Sequence, residues 1–152
     1  MQRKEVSELA SHTGFWLRFV SNYVSYAFAR KLQESGVTVA EWVILRHLYD
    51  EEEISPSALA KAIGITRGAA SKLVDRLLFK HLLTRQGRND DRRFQDIALT
   101  PAGRQLVPKL AAIADRNDEE FFAALSAKER QALIVMMRRL VEANGLRKLP
   151  TE

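Results

Sequence analysis

The sequence contains no cysteine. Disulfides, thiolate metal ligands and cysteine-based redox sensing are therefore excluded. Histidine is scarce. His12, His47 and His81 lie far apart with no ligand spacing, so no metal site is expected. No apolar run reaches the roughly eighteen residues of a membrane span, and no membrane partner is expected. The opening MQRKEVSELASH lacks the apolar centre of a signal peptide, so a cytoplasmic location is expected. There is no nucleophile–base pattern, metal motif or phosphate-binding loop. An enzyme is the weakest expectation, and no cofactor is expected. Repeats, linkers and low-complexity stretches are absent as well, which leaves one domain across 1–152.

What remains is ordinary in amount and uneven in placement. The chain has 152 residues, 46% hydrophobic and 28% charged, enough for a real core. Its net charge is +5. Between Lys61 and Arg104 stand ten basic and four acidic residues, a net of +6. The remainder has 14 basic and 15 acidic residues, a net of −1. Surplus positive charge gathered in one segment is the electrostatic footprint expected for a phosphate backbone.

Periodicity divides the chain into six helices and two short strands. A first helix is expected from Val6 to about Gln33. Its wide, aromatic stripe includes Trp16, Phe19, Tyr23 and Phe28, and suggests a subunit interface as well as core packing. Thr38 to Glu41 is a capping box that opens a second helix ending near Tyr49. Ser55-Pro56 starts a third helix, which Gly64 breaks. Thr66 caps a fourth that runs to about Lys80. Leu82 to Arg85 and Asp96 to Leu99 alternate as strands around a charged tip. Thr100-Pro101 opens a fifth helix to about Ala124, in which Pro108 should cause a kink. Ser126 to Glu129 is a second capping box, and Gly145 stops the sixth helix.

The stretch Ser55 to Thr100 is the order of a winged helix-turn-helix. Ala60 is small where the two helices must cross, and Gly64 supplies the left-handed turn four residues later. Leu59, Ile63, Ile65, Ala70 and Leu73 are apolar where the motif needs them. In such a unit the second helix enters the major groove near its N-terminus. The candidate DNA-binding residues there are Ser55, Thr66, Arg67, Gly68, Ser71, Lys72 and Arg76. Arg67 can donate twice to a guanine edge, and Ser71 can meet a base or a phosphate. Gly68 removes a side chain where the backbone approaches DNA, while Arg76 suits a phosphate or wing contact.

Three groups of residues carry a resemblance to the MarR family of bacterial transcriptional regulators. They are Asp91-Arg92-Arg93 with Phe94 to Ala98, Leu99-Thr100 and Pro101-Ala102-Gly103 that follow, Ser71 to Leu77, and Leu125 to Glu129. The fold class is then mainly α with a small β wing, a winged helix-turn-helix lobe at 38–100 with helical dimerisation regions at 5–35 and 101–146. The resemblance implies a homodimer on double-stranded DNA. Arg93 would be the wing arginine of the minor groove, beside Arg92, with Asp91 orienting a neighbouring arginine. It also implies a small aromatic or phenolic effector, for which His12, Trp16, Phe19, Trp42 and Arg46 are the candidates, although core packing explains the same aromatics. The reading is a regulator, in this family usually a repressor. The alternatives are a winged-helix protein-interaction module and a non-specific architectural DNA binder.

Overall fold

The computed structural model describes residues 6–87 and 95–147. Its elements are α1 (Thr13–Leu32), α2 (Val39–Tyr49), α3 (Pro56–Ile63), α4 (Arg67–Phe79), β1 (Leu83–Gln86), β2 (Asp96–Leu99), α5 (Pro101–Phe121) and α6 (Ala127–Ala143). Two short 3-10 turns flank α1, at Leu9–Ser11 and Gln33–Ser35.

Each helix from α2 onward begins where its side-chain cap stands. Thr38, Ser55, Thr66, Thr100 and Ser126 all accept a hydrogen bond from the backbone N–H three residues on. These bonds satisfy donors that a helix start leaves unpaired. Both capping boxes close, with Glu41 accepting from Thr38 N–H and Glu129 accepting from Ser126 N–H. Gly36, Gly64 and Gly145 take left-handed φ of 67°, 73° and 59°. His81 does the same at 58°, where a side chain costs about 1–2 kcal/mol.

The first helix is shorter than its apolar stripe suggests. The expected run from Val6 is broken at His12, whose backbone is extended. Local side-chain bonds favour the break. Ser11 Oγ donates to the Glu8 carbonyl at 2.7 Å, and Trp16 Nε1 donates to the Ala10 carbonyl at 2.8 Å. At the other end α5 stops at Phe121, and it continues as helix through the exposed Pro108.

The core lies in the lobe. Ile44, Leu45, Leu48, Leu59, Leu77 and Ile97 are fully buried, joined by Leu32 from α1 and Leu110 from α5. β1 and β2 pair antiparallel with Leu83 opposite Leu99 and Gln86 opposite Asp96. A further rung comes from Ile54, which exchanges two backbone hydrogen bonds with Ile97 at 3.0 and 2.9 Å. The wing root is seated on α5. Thr100 Oγ1 donates to the His81 carbonyl at 2.7 Å, and a Cβ on Gly103 would stand 2.3 Å from the Leu82 carbonyl oxygen. Only glycine fits there.

The second layer is α1 with the distal parts of α5 and α6. Asn117, buried on α5, donates to the Val24 carbonyl of α1 at 3.3 Å and accepts from Lys31 at 3.0 Å. Lys31 also pairs with Glu120 at 3.0 Å. Among the described residues no helix is long and apolar enough to cross a membrane.

Candidate nucleic-acid interface

The helix-turn-helix has the geometry its spacing predicts. Leu59 and Ala60 are buried on α3, and Gly64 turns the chain so that Ile65 N–H reaches the Ala60 carbonyl at 3.0 Å. Thr66 Oγ1 then accepts from Ala69 N–H at 3.1 Å and starts α4. Ala70, Val74 and Leu77 bury one face of α4. Arg67, Gly68, Ser71, Lys72, Asp75 and Arg76 are exposed on the other. That division is the helical period made physical.

The exposed face is basic and its one acid is already engaged. Asp75 accepts from Arg85 Nη2 at 3.0 Å, which ties α4 to β1 across the wing root. Among the described residues Arg67, Lys72 and Arg76 have no ion-pair partner. Their charges are therefore available to phosphate and base edges. A Cβ on Gly68 would meet nothing within 4 Å, so this glycine answers no packing need within the chain. Ser55 caps α3, accepting from Ala58 N–H at 3.1 Å, and is half-buried. Asp91, Arg92 and Arg93 lie outside the described residues.

The effector candidates fall into two separate groups within one chain. Trp16 and Phe19 sit in an exposed aromatic run on α1, with Phe19 stacked on Tyr23 at 5.1 Å between ring centroids. His12 precedes this run, its Nδ1 3.0 Å from the Glu8 carbonyl oxygen. Trp42 instead packs edge-on against Phe28 at 6.4 Å and rests on the core. Arg46 pairs with Asp50 at 2.6 Å and lies 5.9 Å from the Tyr49 ring centroid. Twelve residues separate Trp16 from Phe28 on α1, roughly 18 Å along a helix, so one chain does not join the groups. A groove of about 700 Å³ runs between α1 and α6, lined by Trp16, Leu17, Val20, Ile134 and Met137. Of the five candidates only Trp16 lines it.

Sequence reasoning missed the structural roles of three residues that shape this interface: Lys80, Gly103 and Arg85. Lys80 and Arg85 act on partners remote in sequence, Glu41 and Asp75, which no local spacing could reveal. Gly103 did carry a signal, a glycine in the first turn of a helix that local capping alone does not require.

A basic, capped helix presented by a helix-turn-helix with a two-stranded wing defines a winged helix-turn-helix protein. The comparisons make that class specific. The MarR family model matches residues 37–94. Over 133 residues the chain is 33% identical to a protein of Thauera aromatica assigned as a transcriptional regulatory protein for the hcr operon, covering 87% of this chain and 80% of that one. Among solved structures it is similar to Bordetella bronchiseptica BpsR, at 27% identity and a TM-score of 0.79, covering 89% of this chain and 98% of BpsR. That structure concerns regulation of BpsR's DNA binding by 6-hydroxynicotinic acid. The Staphylococcus aureus MepR–DNA complex shares the fold, with a TM-score of 0.76 at 23% identity over 87% of this chain and 98% of MepR. The chain belongs to the MarR family of transcriptional regulators, whose members bind DNA and are not enzymes.

Proposed function

We propose that the protein is a homodimeric, sequence-specific repressor that binds a near-palindromic operator. In this reading 38–100 forms the DNA-binding lobe, and 5–35 with 101–146 forms the dimerisation region of a single domain. The observation that carries it is the exposed face of α4, where Arg67, Ser71, Lys72 and Arg76 stand together without an intrachain ion pair among the described residues. Two such helices would enter successive major grooves about 34–36 Å apart. Arg67 reads a base edge, Lys72 and Arg76 hold phosphates, and Ser55 and Thr66 place two helix N-termini toward the backbone. Arg93 enters or borders the minor groove with Arg92 beside it, and Asp91 fixes one of the two.

The aromatic run of α1 supports an effector site shared between subunits. His12, Trp16 and Phe19 of one protomer would meet Trp42 and Arg46 across the two-fold axis, since one chain keeps them apart. A small aromatic acid suits that set, with Arg46 as its counter-ion in exchange for the exposed Asp50 carboxylate. Such a ligand would release DNA by favouring a dimer with the wrong lobe separation.

The test is binding to duplexes selected by the protein from a random-sequence pool, at fixed salt. Arg67→Ala and Arg93→Ala should each weaken the selected site by about 1–3 kcal/mol, with an unchanged melting temperature. Equal binding to selected and scrambled duplexes would instead favour an architectural DNA binder, and no DNA binding a protein-interaction module.

A further inference from the structure

Behind the recognition helix lies an ion pair that DNA contact does not use, its carboxylate buried and its ammonium side chain 35% exposed. Glu41, third residue of α2, is 1% exposed. Its Oε2 accepts from Thr38 N–H at 3.1 Å and from Lys80 Nζ at 2.7 Å. The same ammonium donates to the Gly36 carbonyl at 2.7 Å. Lys80 is the C-cap of α4, and Gly36 is the left-handed residue that closes the turn after α1. The end of α1, the start of α2 and the end of α4 therefore meet at one ammonium.

We propose that Lys80 is a positioning residue that fixes the tilt of α4 against the α1–α2 junction, and thereby sets the separation of the two recognition helices in the dimer. The proposal rests on the homodimeric DNA-binding reading above. Three features support it. The apolar contacts of Ala70, Val74 and Leu77 bury one face of α4 but are non-directional, whereas a charge-assisted hydrogen bond to a buried carboxylate has a fixed geometry. With Lys80 in place the carboxylate is shut off from solvent, and its other hydrogen bond comes from Thr38 N–H, so it is held from two fixed directions. The lever is long as well. Arg67 stands thirteen residues from Lys80, roughly 20 Å along the helix. A tilt of about 10° at Lys80 would move Arg67 by about 3.4 Å, the rise of one base pair.

The experiment uses the full chain and the double variant Glu41→Gln with Lys80→Met. This pair removes both charges at similar volume and leaves Gln able to accept from Thr38 N–H. The absence of cysteine allows a single spin label on α4 itself, at exposed Ser71 through Ser71→Cys, read in the free dimer, with DNA binding measured on the unlabelled chain. In the wild-type background the inter-label distance in the dimer should be narrow. In the double variant it should broaden about twofold, or shift by about 3 Å, with the dimer mass unchanged. On the selected duplex, inserting one base pair at the dyad should weaken wild type by ~10-fold or more and the double variant by under ~3-fold. Should the double variant fail to fold, Glu41→Gln alone should move both readouts the same way by less. An unchanged distance distribution together with an unchanged spacer penalty overturns the proposal. A wild-type chain that runs as a monomer, or selects no palindrome, overturns the homodimeric reading instead.

Discussion

The lobe and the helical layer are built on opposite terms. In the lobe, α2 buries Ile44, Leu45 and Leu48 completely, and α4 buries Ala70, Val74 and Leu77. In the layer, α6 runs for 17 residues with none of them buried. Ile134, Val135, Met136, Met137, Leu140 and Val141 are each 41–52% exposed. α1 repeats the pattern, with Leu32 its only buried residue and Trp16, Phe19, Tyr23 and Tyr26 each 48–63% exposed. The lobe closes its core with help from Leu32 of α1 and Leu110 of α5, whereas the layer leaves a run of large apolar side chains exposed. One part of the molecule is closed within the chain, and the other leaves open the face that the proposed homodimer would cover.

The largest effect should come from breaking that second arrangement. Ile134→Asp with Met137→Asp places two charges in the α1–α6 groove. Sedimentation should show a monomer that keeps its helical content, because neither side chain is buried in the chain itself. Without the tethered second lobe, operator affinity should drop by about 10²–10⁴-fold. A dimer that persists with full affinity would place the interface elsewhere.

The complementary change strikes the lobe. Leu45→Ala empties a fully buried site and should cost about 2–5 kcal/mol of unfolding free energy. Denaturant titration measures it. The loss should be similar at every protein concentration, whereas the stability of the α6 variant should no longer depend on concentration at all.

These contrasts were unevenly legible in the sequence. Caps are local, so Thr38, Ser55, Thr66, Thr100 and Ser126 each mark a helix start that the structure repeats. The two faces of α4 followed from period alone. The break at His12 did not, because it depends on the Trp16 indole bonding back to Ala10, which competes with an unbroken apolar stripe. Ile54 on Ile97, Arg85 on Asp75 and Lys80 on Glu41 are encounters between distant segments, and no spacing announces them. The five effector candidates were grouped by chemistry, while one chain divides them between α1 and α2.

Gly68 sharpens the comparison at a single residue, since its absence of a side chain serves no packing in the lobe. Gly68→Ala should raise stability by up to about 1 kcal/mol, the helix-propensity gain of alanine. If the α4 backbone approaches DNA there, the same change should weaken operator binding. Melting curves and anisotropy titrations on one preparation separate the two effects. A gain in both would leave Gly68 outside the DNA contact.

The smallest effect tests how α6 is held when burial does not hold it. Its start is fixed by the Ser126–Glu129 capping box, with Ser126 N–H donating to Glu129 at 2.7 Å and Glu129 N–H donating to Ser126 Oγ at 3.2 Å. The bonds to Ser126 hold the Glu129 carboxyl below its ordinary range, the backbone N–H contributing most. A lowered folded pKa means that the carboxylate's contribution is fully present above the unfolded pKa and is lost as pH falls through the folded one. α6 should therefore fray at its N-terminus as pH falls below the ordinary carboxylate value of 4.5. Amide exchange at residues 127–130 should report it. Glu129→Gln keeps an acceptor but no charge, so exchange there should be slightly faster at neutral pH and should lose its acid dependence. An equally steep acid response in that variant would assign the effect to another carboxylate.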